Sequence, residues 1–133
     1  MRATVSQLKT GLKTALSTIN GLRAYDYQPD QVNPPFAWPI LESIEYHSAM
    51  SAGLSEYVFK VSVVVGRASE RVAQSKLDQY LASTSGIASA IEADPTLGGV
   101  ADSLIVQSAD NISTIDANDS LYLVVDFRVV VYA

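Results

Sequence analysis

Leu121-Tyr-Leu-Val-Val-Asp-Phe-Arg-Val-Val-Val-Tyr132 is the segment that decides the fold. Side chains along a strand alternate between its two faces. Leu121, Leu123, Val125, Phe127, Val129 and Val131 therefore fill one face without a polar interruption. Tyr122, Val124, Asp126, Arg128, Val130 and Tyr132 share the other. That second face is also apolar at Val124 and Val130. This predicts a central strand, or one whose outer face a helix or another subunit covers.

Upstream, Glu56 to Val65 repeats the alternation, with Tyr57, Phe59, Val61, Val63 and Val65 opposed to Lys60 and Ser62. Ile40 to Ser48 reads as its hairpin partner through a turn at Ala49 to Leu54. There Ile40, Ile44 and Tyr46 share one face, with Glu42 the exception, and Leu41, Ser43, Glu45 and His47 share the other. A further strand is expected near Ala101 to Ser108, followed by a polar loop from Asp110 to Ser120. Between the strand pairs, Ala73, Leu77, Tyr80 and Leu81 form an apolar helical stripe. Ser69 can cap its start, and Glu70 suits the first turn. After Gly86 a short helix, Ile87 to Ala93, ends before Pro95.

At the other end, Val5, Leu8, Leu12, Ala15, Leu16 and Ile19 lie on one face of a helix running from Thr4 to Asn20. Thr4 and Gln7 have capping-box spacing, and Gly21 suits the left-handed turn that ends a helix. Gly11 inside the helix costs about 1 kcal/mol relative to Ala. Residues 22–39 then form an irregular arm. Pro29, Pro34, Pro35 and Pro39 exclude helix and confine sheet to short pieces, while Tyr25, Tyr27, Phe36 and Trp38 are interleaved with them. A solvated linker is poor in aromatics, so this arm is expected to pack on its own sheet or on a neighbouring subunit. The order helix, strand, strand, helix, helix, strand, strand predicts one α+β domain over residues 1–133. Its mostly antiparallel four-stranded sheet is packed by the N-terminal helix and the mid-chain helix pair.

Composition narrows the function. The 133 residues suit one domain. They are 48% hydrophobic and only 17% charged, against a usual charged share of about 25%, which suggests surface covered by other subunits. The net charge of −5 and the scattered lysines and arginines argue against binding a phosphate backbone. With no cysteine there are no disulfides, thiolate metal sites or thiol nucleophiles. Apolar runs such as Val61 to Val65 are far short of the roughly 18 residues that span a bilayer, and the polar N-terminus lacks a signal-peptide core. His47, the single histidine, is expected on an outward strand face and reads as structural. Asp116, Asn118 and Asp119 loosely match a calcium loop. The Gly and Glu that such a loop needs are replaced by Leu121 and Phe127, so a solvated loop is expected instead. No Walker lysine, GxGxxG or GxSxG motif occurs. Neither an enzyme nor a cofactor is expected.

Several stretches together resemble a known family. They are the N-terminal helix, the hairpin ending in Val61-Ser-Val-Val-Val65, the helix bearing Leu77-Asp78-Gln79-Tyr80, and Ala93-Asp-Pro-Thr-Leu97. A strand, an acidic polar loop and the closing Val131-Tyr132 follow. With a pI near 4.6, this pattern resembles the lambda-type tail terminators of long, flexible-tailed phages (siphophages). Gly21-Leu-Arg-Ala-Tyr-Asp-Tyr-Gln-Pro29 is similar to proteins of actinobacterial phages. The resemblance implies a virion protein at the tail–neck junction, assembled in the host cytoplasm as a homohexameric ring. Such a ring caps the tail tube protein, stops its polymerisation and offers a face to the head–tail connector. DNA passes through its lumen without specific binding. Tyr25, Tyr27, Phe36 and Trp38 would then be interface residues, and Asp110, Asp116 and Asp119 would line the lumen with negative charge.

Other functions fit the same residues. A head–tail stopper or other neck subunit would bind the portal adaptor rather than the tail tube. A small ligand-binding domain or enzyme would depend on His47. A peptide adaptor would use an exposed sheet edge.

Overall fold

The computed structural model describes residues 4–19, 22–25, 35–46, 55–67, 69, 71–82, 86–99, 101, 103–117 and 120–133. In chain order these form α1 (Val5–Leu16), β1 (Arg23–Ala24), β2 (Phe36–Glu45), β3 (Glu56–Arg67), α2 (Arg71–Leu81), α3 (Ile87–Glu92), a 3-10 turn (Leu97–Gly99), β4 (Ser103–Ala117) and β5 (Ser120–Tyr132). The sheet order is β1-β2-β3-β5-β4. Strand β5 is central, as its two apolar faces require. It pairs antiparallel with β3 from Glu56↔Tyr132 to Arg67↔Tyr122, and with β4 from Ser103↔Tyr132 to Ala117↔Ser120.

The α+β class holds, but the sheet has five strands and is mixed. Arm residues Arg23 and Ala24 add a short parallel edge to β2, opposite Phe36 and Ala37. Strand β2 itself begins inside the expected arm, at Phe36, and passes through Pro39. Proline is tolerated there because β2 lies near the sheet edge, with only the two-residue β1 outside it. The Glu42 exception is a bulge. The β2–β3 register shifts between Leu41 and Ser43, so Leu41 and Ile44 both pack on the main core although their spacing would separate them.

The expected loop from Asp110 is strand instead, since β4 continues to Ala117. Asp and Asn disfavour strands, but β5 offers a paired edge along the whole segment. Register shifts between Val106 and Ser108 and between Asp110 and Ser113 absorb the mismatch, with Asn111 in the left-handed region at φ 54°. Helix α1 ends at Leu16, short of Asn20. The Thr10, Thr14 and Ser17 hydroxyls donate to carbonyls four residues back, and Thr18 donates to Ala15. Gly21 lies outside the described residues. The Thr4–Gln7 capping box is formed in both directions, at 3.2 and 2.9 Å.

All three helices pack on one face of the sheet. Leu8, Leu12 and Leu16 of α1, Tyr80 of α2, and Ile87 and Ile91 of α3 meet Phe59, Val61, Val63, Phe127 and Val129. Each fully buried side chain of this kind contributes roughly 1.5–3 kcal/mol. Two glycines set the spacing. A Cβ on Gly11 would stand 2.7 Å from the Leu97 Cβ, and one on Gly66 would stand 2.9 Å from the Ala73 Cβ. The 3-10 turn is thereby held against α1, and the first turn of α2 against the end of β3.

Candidate functional site

The opposite face of the sheet carries no helix among the described residues, yet it is far from polar. Phe36, Val64 and Tyr122 are buried there, with Tyr25, Trp38 and Val124 packed around them. Phe36 stacks on Trp38 at 5.5 Å between ring centroids and meets Tyr25 edge-on at 6.2 Å. The expected arm aromatics therefore gather, but on their own sheet. Phe36 is only 4% exposed, because strand pairing sets it opposite Val64. Trp38 and Tyr25 remain half-buried. Tyr27 and His47 lie outside the described residues.

Beside this cluster lies a cleft of about 260 Å³, whose lining includes Trp38, Ser62, Asn111, Ser113, Val124 and Asp126. Register builds it. Trp38 stands opposite Ser62, Ser62 opposite Asp126, and Asp126 opposite Asp110, so one row crosses β2, β3, β5 and β4. Asp126 accepts hydrogen bonds from Ser62 Oγ (2.8 Å) and Asn111 Nδ2 (3.0 Å). Asp110 accepts one from Ser108 Oγ (2.6 Å). All three donors are neutral. Like charges directly opposite each other destabilise a sheet, so the Asp110–Asp126 pair leaves negative potential at a partly apolar cleft. The next row on this face is cationic, with Lys60 opposite Arg128 and the Arg128 Nε donating to Gln107 at 2.9 Å.

Two of the three acidic residues expected in one loop are strand residues on opposite sides of the sheet. Asp110 and Asp116 are both in β4, but Asp110 faces Asp126 on the helix-free side. Asp116 stands opposite Leu121, whose parity belongs to the helix side. Asp119 lies outside the described residues. Sequence reasoning passed over Asp126, Ser62 and Asn111. The signal was present in Asp126 itself, a carboxylate in the middle of a mostly apolar strand, where a local rule is broken.

A second cavity, about 300 Å³, lies between α1 and the 3-10 turn and is lined by Ser6, Gln7, Thr10, Thr14, Asp94 and Gly98. Asp94 Oδ1 accepts from the Gly98 amide at 3.2 Å, so its one charged group is already used in the turn. Along the β4 edge, Ile105, Ile112 and Ile115 are 45%, 51% and 43% exposed, and the Val106 amide donates to Glu92 Oε2 of α3 at 3.1 Å. The helix-free face thus combines an aromatic wall, an acidic row and, at the β4 edge, the exposed Ile105 and Ile115.

No known protein family matches this sequence, and no curated protein does.

Proposed function

We propose that this chain is a ring-forming structural subunit of a siphophage virion, a tail terminator that caps the tail tube and presents a face to the head–tail connector. One observation carries the proposal. Among the described residues the helices lie on one side of the sheet, leaving the other side with half-buried Trp38, Val124 and Tyr25 and the exposed Ile105 and Ile115 of β4. Apolar surface of this kind marks protein contact. A sheet whose described helices all lie on one side suits a heterologous interface, where different patches of each subunit meet head to tail. The sequence resemblance adds the partners, namely copies of itself, the tail tube protein and the connector.

Native mass spectrometry of the purified chain, alone and mixed with the tail tube protein of the same phage, tests this. A sixfold species, either free or formed on the tube, is the expected result. A chain that stays monomeric in both samples, at concentrations up to about 100 μM, overturns the proposal.

A further inference from the structure

The outward side of β5 reads the same from either end, apart from its charges. On the face away from the described helices stand Tyr122, Val124, Asp126, Arg128, Val130 and Tyr132. About Phe127, tyrosine mirrors tyrosine, valine mirrors valine, and the central pair is opposite in charge. Strand β3 repeats the scheme about Val61, which stands opposite Phe127. Val58 there mirrors Val64, and Lys60 mirrors Ser62. Glu56, opposite Tyr132, mirrors Arg67, opposite Tyr122. A two-fold axis across the strands at the level of Val61 and Phe127 sets a second copy face to face with the first. Each strand then lies over its own counterpart, running the opposite way. Arg128 meets the second copy's Asp126, and Asp126 meets the second copy's Arg128. Glu56 comes over Arg67, and valine over valine. An axis along the strands would instead stack Arg128 on Arg128, so charge chooses between the two arrangements.

We propose that this face pairs with a second copy of the chain, in a two-fold dimer centred on reciprocal Arg128–Asp126 ion pairs. Asp126 takes hydrogen bonds from the neutral Ser62 Oγ (2.8 Å) and Asn111 Nδ2 (3.0 Å), and a carboxylate can accept about four. Arg128 is exposed, and with its Nε on Gln107 it keeps two terminal nitrogens for a carboxylate. The cleft of about 260 Å³ beside Asp126 gives that guanidinium room. On β2, half-buried Ile40 comes over the half-buried Trp38 of the second copy, because the two flank Pro39, which stands opposite Val61. Packed sheets stand about 10 Å apart and cross at about 30°. An arginine and an aspartate together bridge that gap, and the match is closest at the centre, where the charges lie. The contact is isologous and closes at two copies. It is distinct from the head-to-tail contact of the proposed ring but covers the same face, so a paired chain enters a ring only after the dimer opens. The pairing itself does not depend on the ring.

The test is sedimentation velocity on the full chain, with circular dichroism to check that each form is folded. The unmodified chain is expected to dimerise, and about 0.5 M NaCl to weaken the dimer. Arg128→Glu, at an exposed position, sets carboxylate against carboxylate in both pairs and should weaken it about tenfold or more. Asp126→Lys sets cation against cation, with the same result. Mixed in equal amounts, the two variants regain opposite charges in both pairs and should dimerise with each other while neither does so alone. If Asp126→Lys does not fold, Asp126→Asn replaces it and should still rescue Arg128→Glu in part, through the one ion pair that remains. Trp38 is the single tryptophan, and its emission should shift to the blue in the dimer. A chain with no dimer at up to about 100 μM, whether single or closed directly into rings, overturns the pairing and leaves the ring to its own test. A dimer that Arg128→Glu leaves intact, a mixture that recovers nothing, or a dimer with unshifted Trp38 emission overturns it as well.

Discussion

Replacing Gly11 by alanine separates local propensity from tertiary packing. In an isolated helix the change stabilises by about 1 kcal/mol. In the folded chain the new methyl would lie 2.7 Å from the Leu97 Cβ, 3.3 Å from the Leu97 carbonyl oxygen and 3.4 Å from its Cδ1. Carbon atoms in contact sit at about 3.5–4.0 Å, so α1 and the 3-10 turn would have to part by about 1 Å. The turn resists. Leu97 is buried at φ 49°, Gly98 and Gly99 follow at φ 72° and 99°, and the Leu97 amide donates to Asp94 O at 3.1 Å. Overpacking of this kind costs about 1–3 kcal/mol, so the expected net effect is a loss of about 1 kcal/mol. With a urea slope of about 1.5 kcal/mol/M, the unfolding midpoint should fall by about 0.7 M. Thr14→Ala, on the exposed side of the same helix, should leave the midpoint unchanged or raise it slightly. In a Leu97→Gly background the obstructing Cβ is gone, and Gly11→Ala should become stabilising. A midpoint that rises in the otherwise unmodified chain would refute the reasoning, because the turn would then yield freely.

Other expectations follow from the same structure. Thr4→Ala removes one half of the capping box and should cost about 1 kcal/mol in chemical denaturation; no change would mean the first turn is dispensable. Gly66→Val drives side-chain atoms into Ala73 and should lift α2 off β3, read as faster amide exchange across Arg71 to Leu81; unchanged exchange would contradict the close packing. Burial holds the Tyr80 hydroxyl above its ordinary 10.0. The unfolded chain ionises first, so this contribution is intact below pH 10 and is lost as pH rises beyond it. Tyr80→Phe should therefore flatten the decline in stability between about pH 9 and 11, and an identical decline in both proteins would remove Tyr80 as its source. Tyr132 shifts the same way through burial, then the charge of Glu56 and the 3.4 Å hydrogen bond to it. Glu56→Gln should lower the Tyr132 pKa in a spectrophotometric titration, and an unmoved value would discount the Glu56 contribution.

Local pattern determined a good deal by itself. The period-two alternation of Tyr57 to Val65 and Leu121 to Val131 specified two core strands and which of their faces is buried. The helical spacing of Leu8, Leu12 and Leu16 specified α1, and its capping box needs only neighbours three residues apart. Such features depend on residues within a turn or two, so sequence carries them. Tertiary structure decided the rest. Only pairing with β5 turns the polar stretch from Asp110 to Ala117 into strand, and only the bulge at Glu42 puts Leu41 and Ile44 on one side. Gly11 is unfavourable in the sequence and required in the fold because Leu97, distant in the chain, occupies the space of its missing methyl. The acidic row is of the same kind. Asp110 and Asp126 become neighbours through strand register, which depends on where two distant segments align, and no local property of either aspartate specifies that alignment.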